Sequence, residues 1–346
     1  MAKQTTIIEI EGRELKLSNL DKVLYPAAGF TKAQLIDYYV RIAPVLLPHL
    51  KGRPLTMKRY PEGVGGEFFY EKNCPTHRPD WVTTVPIWSD GNNRWMQYCV
   101  IADLPTLVWA ANLADIELHT SLSLGKKIEQ PTFLVFDLDP GPPADIVQCC
   151  QVGLWVRRLF QSMGLEAYAK TSGSKGLQVY VPLHTPVTYD ETKPFAKEIA
   201  RLLERRYPEK VVSDMKKVLR TNKVFVDWSQ NDQYKTTVCV YSLRAKDRPT
   251  ASTPVRWEEV EDCLKKQDPN LLVFDSAAVL QRVEKKGDLF ERVLDQKQKL
   301  PDMSELEKAV ESLDTVKTTT VATRAKTKAR TRERTRKKAV SRKKST

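Results

Sequence analysis

TFLVFDLDPGPP, residues 132–143, is the stretch from which the rest of the chain can be read. It is a β-type apolar run closed by Pro and Gly, and within it Asp137 and Asp139 stand two residues apart. Successive strand side chains alternate between faces, so Phe136 and Leu138 can enter a core while both carboxylates project together from the other face. Two carboxylates that close repel each other unless positive charge lies between them. A divalent cation with oxygen ligands, magnesium or manganese, meets that need. The plainer reading is a pair of strand-end aspartates feeding the turn at Pro140-Gly141. Asp227 argues against it. It sits in VFVDW (224–228), a second apolar strand-like run in which an acid is out of place unless it is used. Three strand-borne carboxylates can hold two metal ions, the arrangement that clamps the attacking and leaving oxygens in phosphoryl or nucleotidyl transfer.

Between these two strands lies TSGSKG, residues 171–176. Its glycines permit close backbone approach, Ser172 offers a hydroxyl and Lys175 a positive charge, a set suited to a triphosphate. The GxxxxGK[ST] spacing of a P-loop is absent. Alone the segment would pass for an ordinary hairpin connection; its place between acidic strands gives it weight.

Further outward, the periodicity predicts a helix capped by Thr31, with Leu35, Ile36, Tyr39, Ile42, Ala43 and Leu46 at helical spacing, ending near Gly52. Residues 82–100 read as a hairpin, VTTVPIW and RWMQYCV around SDGNN. A helix over 104–113 follows, then one from about Asp145 to Met163 stopped by Gly164. EAYAKTSGSKGLQVYVPL (166–183) reads as two strands joined at SGSKG, followed by a helix over 190–206. KVFVDWS is a short strand, and several helices are expected over 255–313. This alternation without internal repeats predicts a mixed α/β or α+β fold and names no function.

The 346 residues, 41% of them hydrophobic, suffice for one large core or two modest ones. No stretch approaches the ~20 apolar residues of a membrane span, and MAKQTTIIEIEGRELK has no signal-peptide core, so a cytoplasmic chain is expected. Six scattered cysteines (Cys74, Cys99, Cys149, Cys150, Cys239 and Cys263) read as reduced thiols, and Cys74 with His77 lacks the further ligands a structural zinc needs. The formal charge is +13, yet 13 Lys or Arg against Glu333 put +12 of it in residues 316–346. That tail has almost no large apolar residues and is expected to be disordered in isolation. It reads as a nucleic-acid-binding arm, or more plainly as a solubilising tail.

The ordered set DLDPG (137–141), TSGSKGLQVYVPL (171–183) and VDWSQN (226–231) resembles the active-site motifs of the polymerase domain of bacterial end-joining DNA ligase D, in the archaeo-eukaryotic primase superfamily. The similarity extends through LSNLDKVLYP (17–26), KGRPLTMKRYPEGV (51–64), FFYEKNCPTHRPDWV (68–82), IELH (116–119) and YSLRA (241–245), covering roughly residues 10–300. The resemblance implies an α+β, primase-type core of two packed α/β layers with a cleft, spanning residues 1–300, then a C-terminal helix over 301–315 and the tail. It implies template-dependent nucleotide addition, by primer extension or gap filling, in repair of double-strand breaks by non-homologous end joining. The expected substrates are NTP or dNTP and gapped or broken DNA with a 5′-phosphate, and the expected cofactor is Mn2+ or Mg2+. No Lys-x-Asp-Gly adenylation motif is present, so a ligase and the end-binding protein Ku would be separate partners.

Carried over residue by residue, the resemblance assigns Asp137, Asp139 and Asp227 to metal, and His119 to a catalytic position near the phosphates. Lys58, Ser172, Lys175, Gln178, Gln230 and Arg244 would meet the incoming nucleotide. Asn19, Lys22 and Lys32 match a pocket for the downstream 5′-phosphate, Phe68 and Phe69 match aromatics that stack on DNA at the break, and Arg220 is assigned to DNA. Two departures stand out: Gln178 occupies the position of the family histidine in SGxKGxH, and Thr120-Ser121-Leu122 follows IELH where an aromatic is usual. A neutral amide can donate to phosphate but carries no charge. Two rival readings follow, a catalytically weakened primase-fold protein that bridges DNA, and a haloacid-dehalogenase-like phosphatase, whose first motif VFDLDPG also resembles. The second leaves Pro140-Gly141-Pro142-Pro143 where a small polar residue is expected and gives VDWSQN no role.

Overall fold

A computed structural model describes residues 5–309. The basic tail and residues 310–315 of the expected C-terminal helix lie outside the described residues, while 303–309 are helical. The strands are β1 (Thr5–Ile10), β2 (Arg13–Ser18), β3 (Val23–Tyr25), β4 (Phe30–Thr31), β5 (Leu55–Arg59), β6 (Phe69–Glu71), β7 (Thr84–Ser89), β8 (Arg94–Cys99), β9 (Asp115–Thr120), β10 (Phe133–Pro140), β11 (Tyr168–Thr171), β12 (Leu177–Pro182), β13 (Val211–Val212), β14 (Val224–Asp227), β15 (Thr237–Val238) and β16 (Pro254–Val255). The helices are α1 (Lys32–Leu50), α2 (Leu104–Asn112), α3 (Ile146–Ser162), α4 (Tyr189–Arg206), α5 (Trp257–Lys266) and α6 (Ser276–Lys286). The fold is mixed α+β, as the alternation of patterns predicts. Among the described residues the chain forms two compact units, a large one from 5–157 with Glu166–Leu300 and a small one from Arg158–Leu165 with 301–309. The site described below belongs to the large unit.

Two six-stranded sheets make its framework. One runs β13-β14-β10-β12-β11-β16; the other runs β15-β9-β5-β8-β7, with β6 paired to β5. Tyr180 on β12 and Thr237 on β15 share a hydrogen bond of 2.8 Å between the sheets. Strands β10 and β12 lie at the centre of the first sheet, which explains why LQVYVP is buried throughout and why β10 begins as an unbroken apolar run. On β10, Leu134, Phe136 and Leu138 form one fully buried face. The other face changes from Phe133 and Val135 to Asp137 and Asp139, so the acids stand where the strand leaves the core.

Helix α1 begins as expected, with a capping box between Thr31 and Gln34. Its predicted apolar positions are all buried. Two phenols on its inner face reach across the core, Tyr39 donating to Ile116 O at 2.7 Å and Tyr38 to Tyr241 O at 2.7 Å. These bonds tie the helix to β9 and to the YSLRA segment, two of the site's walls. The predicted hairpin forms as β7 and β8 around a 3-10 turn at Asp90–Asn92.

The cysteine expectation needs correction. Cys74 and Cys99 form a disulfide with 5.1 Å between their Cα atoms, while the other four cysteines are free and buried. The partners are 25 residues apart in sequence, beyond the reach of local periodicity. The fold brings them together because Cys74 N donates to Gln97 O at 2.6 Å and Gln97 N donates to Asn73 Oδ1 at 2.9 Å, zipping the segment after β6 onto β8.

Pairing of β14 with β10 ends at Asp227 opposite Asp137, where the chain turns through Trp228–Gln230. Asn231, fully buried, then takes over as a substitute strand. Its Oδ1 accepts from Val135 N at 2.9 Å and its Nδ2 donates to Val135 O at 2.8 Å. Replacing Asn231 with alanine strands both backbone groups of Val135, and a buried unpaired group costs about 1–3 kcal/mol. Asn231→Ala is therefore expected to lower stability by about 2–4 kcal/mol in denaturant titration, with unchanged slope. A loss within ~0.5 kcal/mol would mean that Asn231 does not hold this junction.

Candidate active site

The register of the first sheet sets Asp227, Asp137, Gln178 and Lys170 side by side on β14, β10, β12 and β11. Burial, then Asp139, then Asp227 push the Asp137 carboxyl up to about 7, and burial with Asp227 raises that of Asp139. Asp137 Oδ1 is buried without a hydrogen-bond partner. An orphaned carboxylate oxygen beside two further acids is a donor set suited to a hard divalent cation. Among the described residues, however, no three His, Cys, Asp or Glu side chains converge on one point. Asp227 supplies the reason: its Oδ1 accepts from Ser229 N at 2.9 Å and Ser229 Oγ at 2.5 Å, and its Oδ2 from Gln230 Nε2 at 2.9 Å. The carboxylate is in register with Asp137 but turned toward its own loop.

The TSGSKG turn lies against the end of β10. A Cβ on Gly176 would stand 2.2 Å from Leu138 O, so only glycine allows this approach. Ser172 Oγ accepts from Gly176 N at 3.0 Å and Ser174 N at 3.2 Å, which folds the turn around its own hydroxyl. Arg244 Nη1 braces it through Ser172 O. The charge of Lys175 favours the ionised form of Asp139. Gly141 in DLDPG is held similarly, since its Cβ would stand 1.9 Å from Arg220 O. Arg220 thereby lies beside the acids. Its guanidinium covers the Phe225 ring at 3.7 Å, and its charge also favours ionised Asp139.

Opposite the acids, β5 and β9 pair Lys58 with Glu117 and Thr56 with His119. Glu117 is 1% exposed and gathers three basic groups: His119 Nε2 at 2.9 Å, Arg244 Nε at 3.2 Å and Lys58 Nζ at 3.6 Å. The Arg244 contact is an ion pair without hydrogen-bond alignment. Burial alone would raise the Glu117 carboxyl, but the bond from His119 and the charges of Arg244 and Lys58 hold it well below the usual carboxylate range. Burial lowers His119, outweighing the pull of Glu117 in the other direction. The Lys58 ammonium also lies 4.3 Å from the Phe68 ring centre and 5.4 Å from that of Tyr70.

Of the expected catalytic and nucleotide-binding residues, Asp137, Asp139, His119, Ser172, Lys175, Gln178, Gln230 and Arg244 line one cavity of about 580 Å³. Lys58 and Asp227 are not among the lining residues; Lys58 is paired with Glu117, and Asp227 accepts from Gln230. The cavity wall also carries Tyr70, Lys72, Tyr234, Lys235 and Lys246, which the sequence reading passed over. Glu117 had a signal in the sequence, since it stands two residues from His119 just as Asp137 stands two from Asp139. Tyr234 and Lys235 had none, because a loop between short strands brings them in.

The residues matched to the 5′-phosphate pocket form a separate cluster. Asn19 adopts a left-handed conformation (φ 53°) and opens a turn closed by Lys22 N donating to Asn19 O at 3.1 Å. Lys32, 5% exposed, donates to Ser18 O at 2.6 Å; burial, then Lys22 and Arg59, lower its ammonium to about 8. Lys22 pairs with exposed Glu62 at 2.7 Å. Phe68 and Phe69 are 49% and 44% exposed, with Arg59 over the Phe69 ring at 5.0 Å. An ordinary solvated lysine at a helix start would not be buried as Lys32 is.

Residues 31–290 match the family model described as LigD, primase-polymerase domain. The chain is 41% identical over 277 residues to the multifunctional non-homologous end joining protein LigD of Mycolicibacterium smegmatis, covering 80% of this chain and 35% of that protein. It is 34% identical over 275 residues to the bifunctional non-homologous end joining protein LigD of Bacillus subtilis, covering 79% and 43%. The chain thus spans between a third and a half of the length of these relatives. The polymerase domain from Mycobacterium tuberculosis ligase D, solved in complex with DNA, superposes with a TM-score of 0.75 at 38% identity, covering 82% of this chain and 99% of that one. No described helix is long and apolar enough to cross a membrane. With Asp137, Asp139, the glycine turn and several basic side chains lining one cavity, and with most of its length matched by one family, the chain belongs to the LigD primase-polymerase domain family.

Proposed function

We propose that the protein is a template-dependent nucleotidyltransferase that extends a primer or fills a gap in broken DNA with NTP or dNTP, during non-homologous end joining. The observation that carries this reading is the acidic row at the floor of a cavity whose wall holds Lys72, Lys175, Lys235, Arg244 and Lys246. Acids with an orphaned oxygen and five cations lining the same cavity suit a nucleoside triphosphate with its metal. Asp137, Asp139 and Asp227 would hold Mg2+ or Mn2+, with Asp227 leaving its bonds to Ser229 and Gln230. The metal would supply positive charge to the reacting phosphate oxygens.

The chain's own groups account for the remainder. Ser174, Lys175 and Arg244 offer donors to the phosphates, and the wall of basic side chains attracts the substrate's charge. His119, kept largely neutral by burial, acts as a hydrogen-bonding group near the phosphates. The similarity to a polymerase domain solved with DNA supports DNA as partner, as do the exposed Phe68 and Phe69, whose faces suit base stacking. Ku and a ligase would be partners at the break. The test is incorporation of labelled nucleotide on a gapped duplex with Mn2+ or Mg2+, which separates this reading from phosphatase activity and from DNA bridging. Asp227→Ala is expected to lower incorporation ~1000-fold or more while the protein stays folded. Undiminished extension by the folded variant would sink the metal assignment.

The cluster around Lys32 would bind the downstream 5′-phosphate. Each charge-assisted contact is worth about 1.5–3 kcal/mol before screening, so phosphorylated gaps are expected to bind more tightly than hydroxyl-ended ones. The Lys22→Ala/Lys32→Ala double variant should erase this preference. Because Lys32 loses its proton as pH rises through about 8, the wild-type preference should also shrink between pH 7 and 9. Binding of both DNAs across that range, by fluorescence anisotropy, measures it. Equal discrimination by wild type and double variant would make the pair an ordinary surface.

Glu117 would act as the post on which the nucleotide-facing cations are hung. Removing its charge in Glu117→Gln takes away the groups that hold the His119 pKa up, so that pKa should fall further below 6.5. A NMR titration of the histidine ring protons reads this directly. The folded value already lies below the unfolded one, so acidification through 6.5 favours the unfolded chain, and in the variant the His119 share of this loss should grow. An unchanged His119 titration would show that Glu117 does not govern it.

A further inference from the structure

Lys170 on β11 is fully buried, and nothing described above uses it. Its ammonium donates to Gln178 Oε1 at 2.5 Å, Ser252 Oγ at 2.7 Å and Val238 O at 3.0 Å. Three donors thus meet three acceptors, and no carboxylate is among them. Burial lowers the Lys170 ammonium to about 7, and its charged form is held by this complete set of bonds with no counter-ion in contact. The nearest acid along the sheet is Asp137, reached through Gln178. The register pairs Gln178 with Lys170 on one side and with Asp137 on the other.

A carboxamide has one accepting end and one donating end, and an ammonium can only donate. With Oε1 fixed on Lys170, the amino end of Gln178 is directed toward the neighbouring row position, which is Asp137. Were the amide reversed, two donors would face each other at Lys170 and the carbonyl would face a carboxylate, so Lys170 fixes the orientation. The contact with Gln178 favours the charged form of Asp137.

We propose that Lys170 is a positioning residue that acts through Gln178: by fixing the amide it presents a donor to Asp137 and holds that carboxylate in place in the acidic row. This rests on the reading that Asp137 serves nucleotidyl transfer. It also gives Gln178 a role apart from the phosphates. The side chain is 1% exposed, with its carbonyl turned away from the cavity to a buried cation.

Transmission through one side chain predicts that the effect of Lys170 disappears when Gln178 is removed. In gap filling at saturating nucleotide, Lys170→Met and Gln178→Leu are each expected to lower kcat ~10- to 100-fold with KM for the nucleotide within about threefold. In the Gln178→Leu background, adding Lys170→Met should change kcat less than about twofold. Mn2+ affinity, read from the electron paramagnetic resonance signal of the free ion, should follow the same pattern without any turnover. Thermal unfolding checks each variant; if Lys170→Met does not fold, Lys170→Gln replaces it in both backgrounds. Multiplicative losses would overturn the proposal, since a charge acting through space or a general weakening of the core persists when Gln178 is absent. A change confined to KM would overturn it too. A wild-type protein that incorporates no nucleotide refutes the proposed activity instead, and the Mn2+ cycle then decides the Lys170 linkage by itself.

Discussion

The pairing of Asp137 with Asp227 across β10 and β14 is the constraint around which this molecule is organised. Like charges directly opposite one another destabilise a sheet, and these two have Asp139 beside them. The surroundings are arranged to tolerate the pair. Asp227 is satisfied by its own loop, Arg220 and Lys175 favour the charged form of Asp139, and Gln178 does so for Asp137. Asn231 keeps β10 bonded where β14 departs, so the acids stay in register although the ladder ends there.

A second organising device faces the first. Glu117 is a buried anion whose charged partners are all basic, and those partners belong to β5, β9 and the YSLRA segment. Phenols from α1 tie the same segments together through backbone carbonyls. The cavity therefore has its acids on one sheet, and its basic lining comes from the glycine turn of that sheet and from segments next to the other. Removing one member from a buried charged cluster costs far more than an exposed salt bridge would suggest, since the remaining charges are left without solvent. Close backbone approach completes the arrangement. Gly141 and Gly176 let the ends of β10, the glycine turn and the Arg220 segment meet at distances that no side chain would permit.

Much of this was legible in the chain. Alternation in FLVFDLDP separates core from acids on one strand, and helical spacing gives α1 with its cap, because both depend on residues within a few positions of each other. The motif order gave the family on the same local footing. The disulfide was misread because it joins Cys74 to Cys99 through the folding of the segment after β6 onto β8. Lys32 could be taken for a solvated lysine because its burial depends on the turn that begins at Asn19.

Local pattern alone determined which strands carry the acids, which turn needs glycine and which helix begins at Thr31. The tertiary structure decided which side chains share an environment. Lys170 is seven residues before Leu177 and 33 after Asp137 in sequence, yet strand register aligns it with Gln178 and Asp137 and makes it a buried ammonium with three bonds. Glu117 likewise becomes the partner of Lys58 and Arg244 only when β5 and β9 pair and YSLRA closes over them. Periodicity fixes the face on which a residue lies. Register and sheet packing, which depend on contacts between distant segments, fix what that face meets.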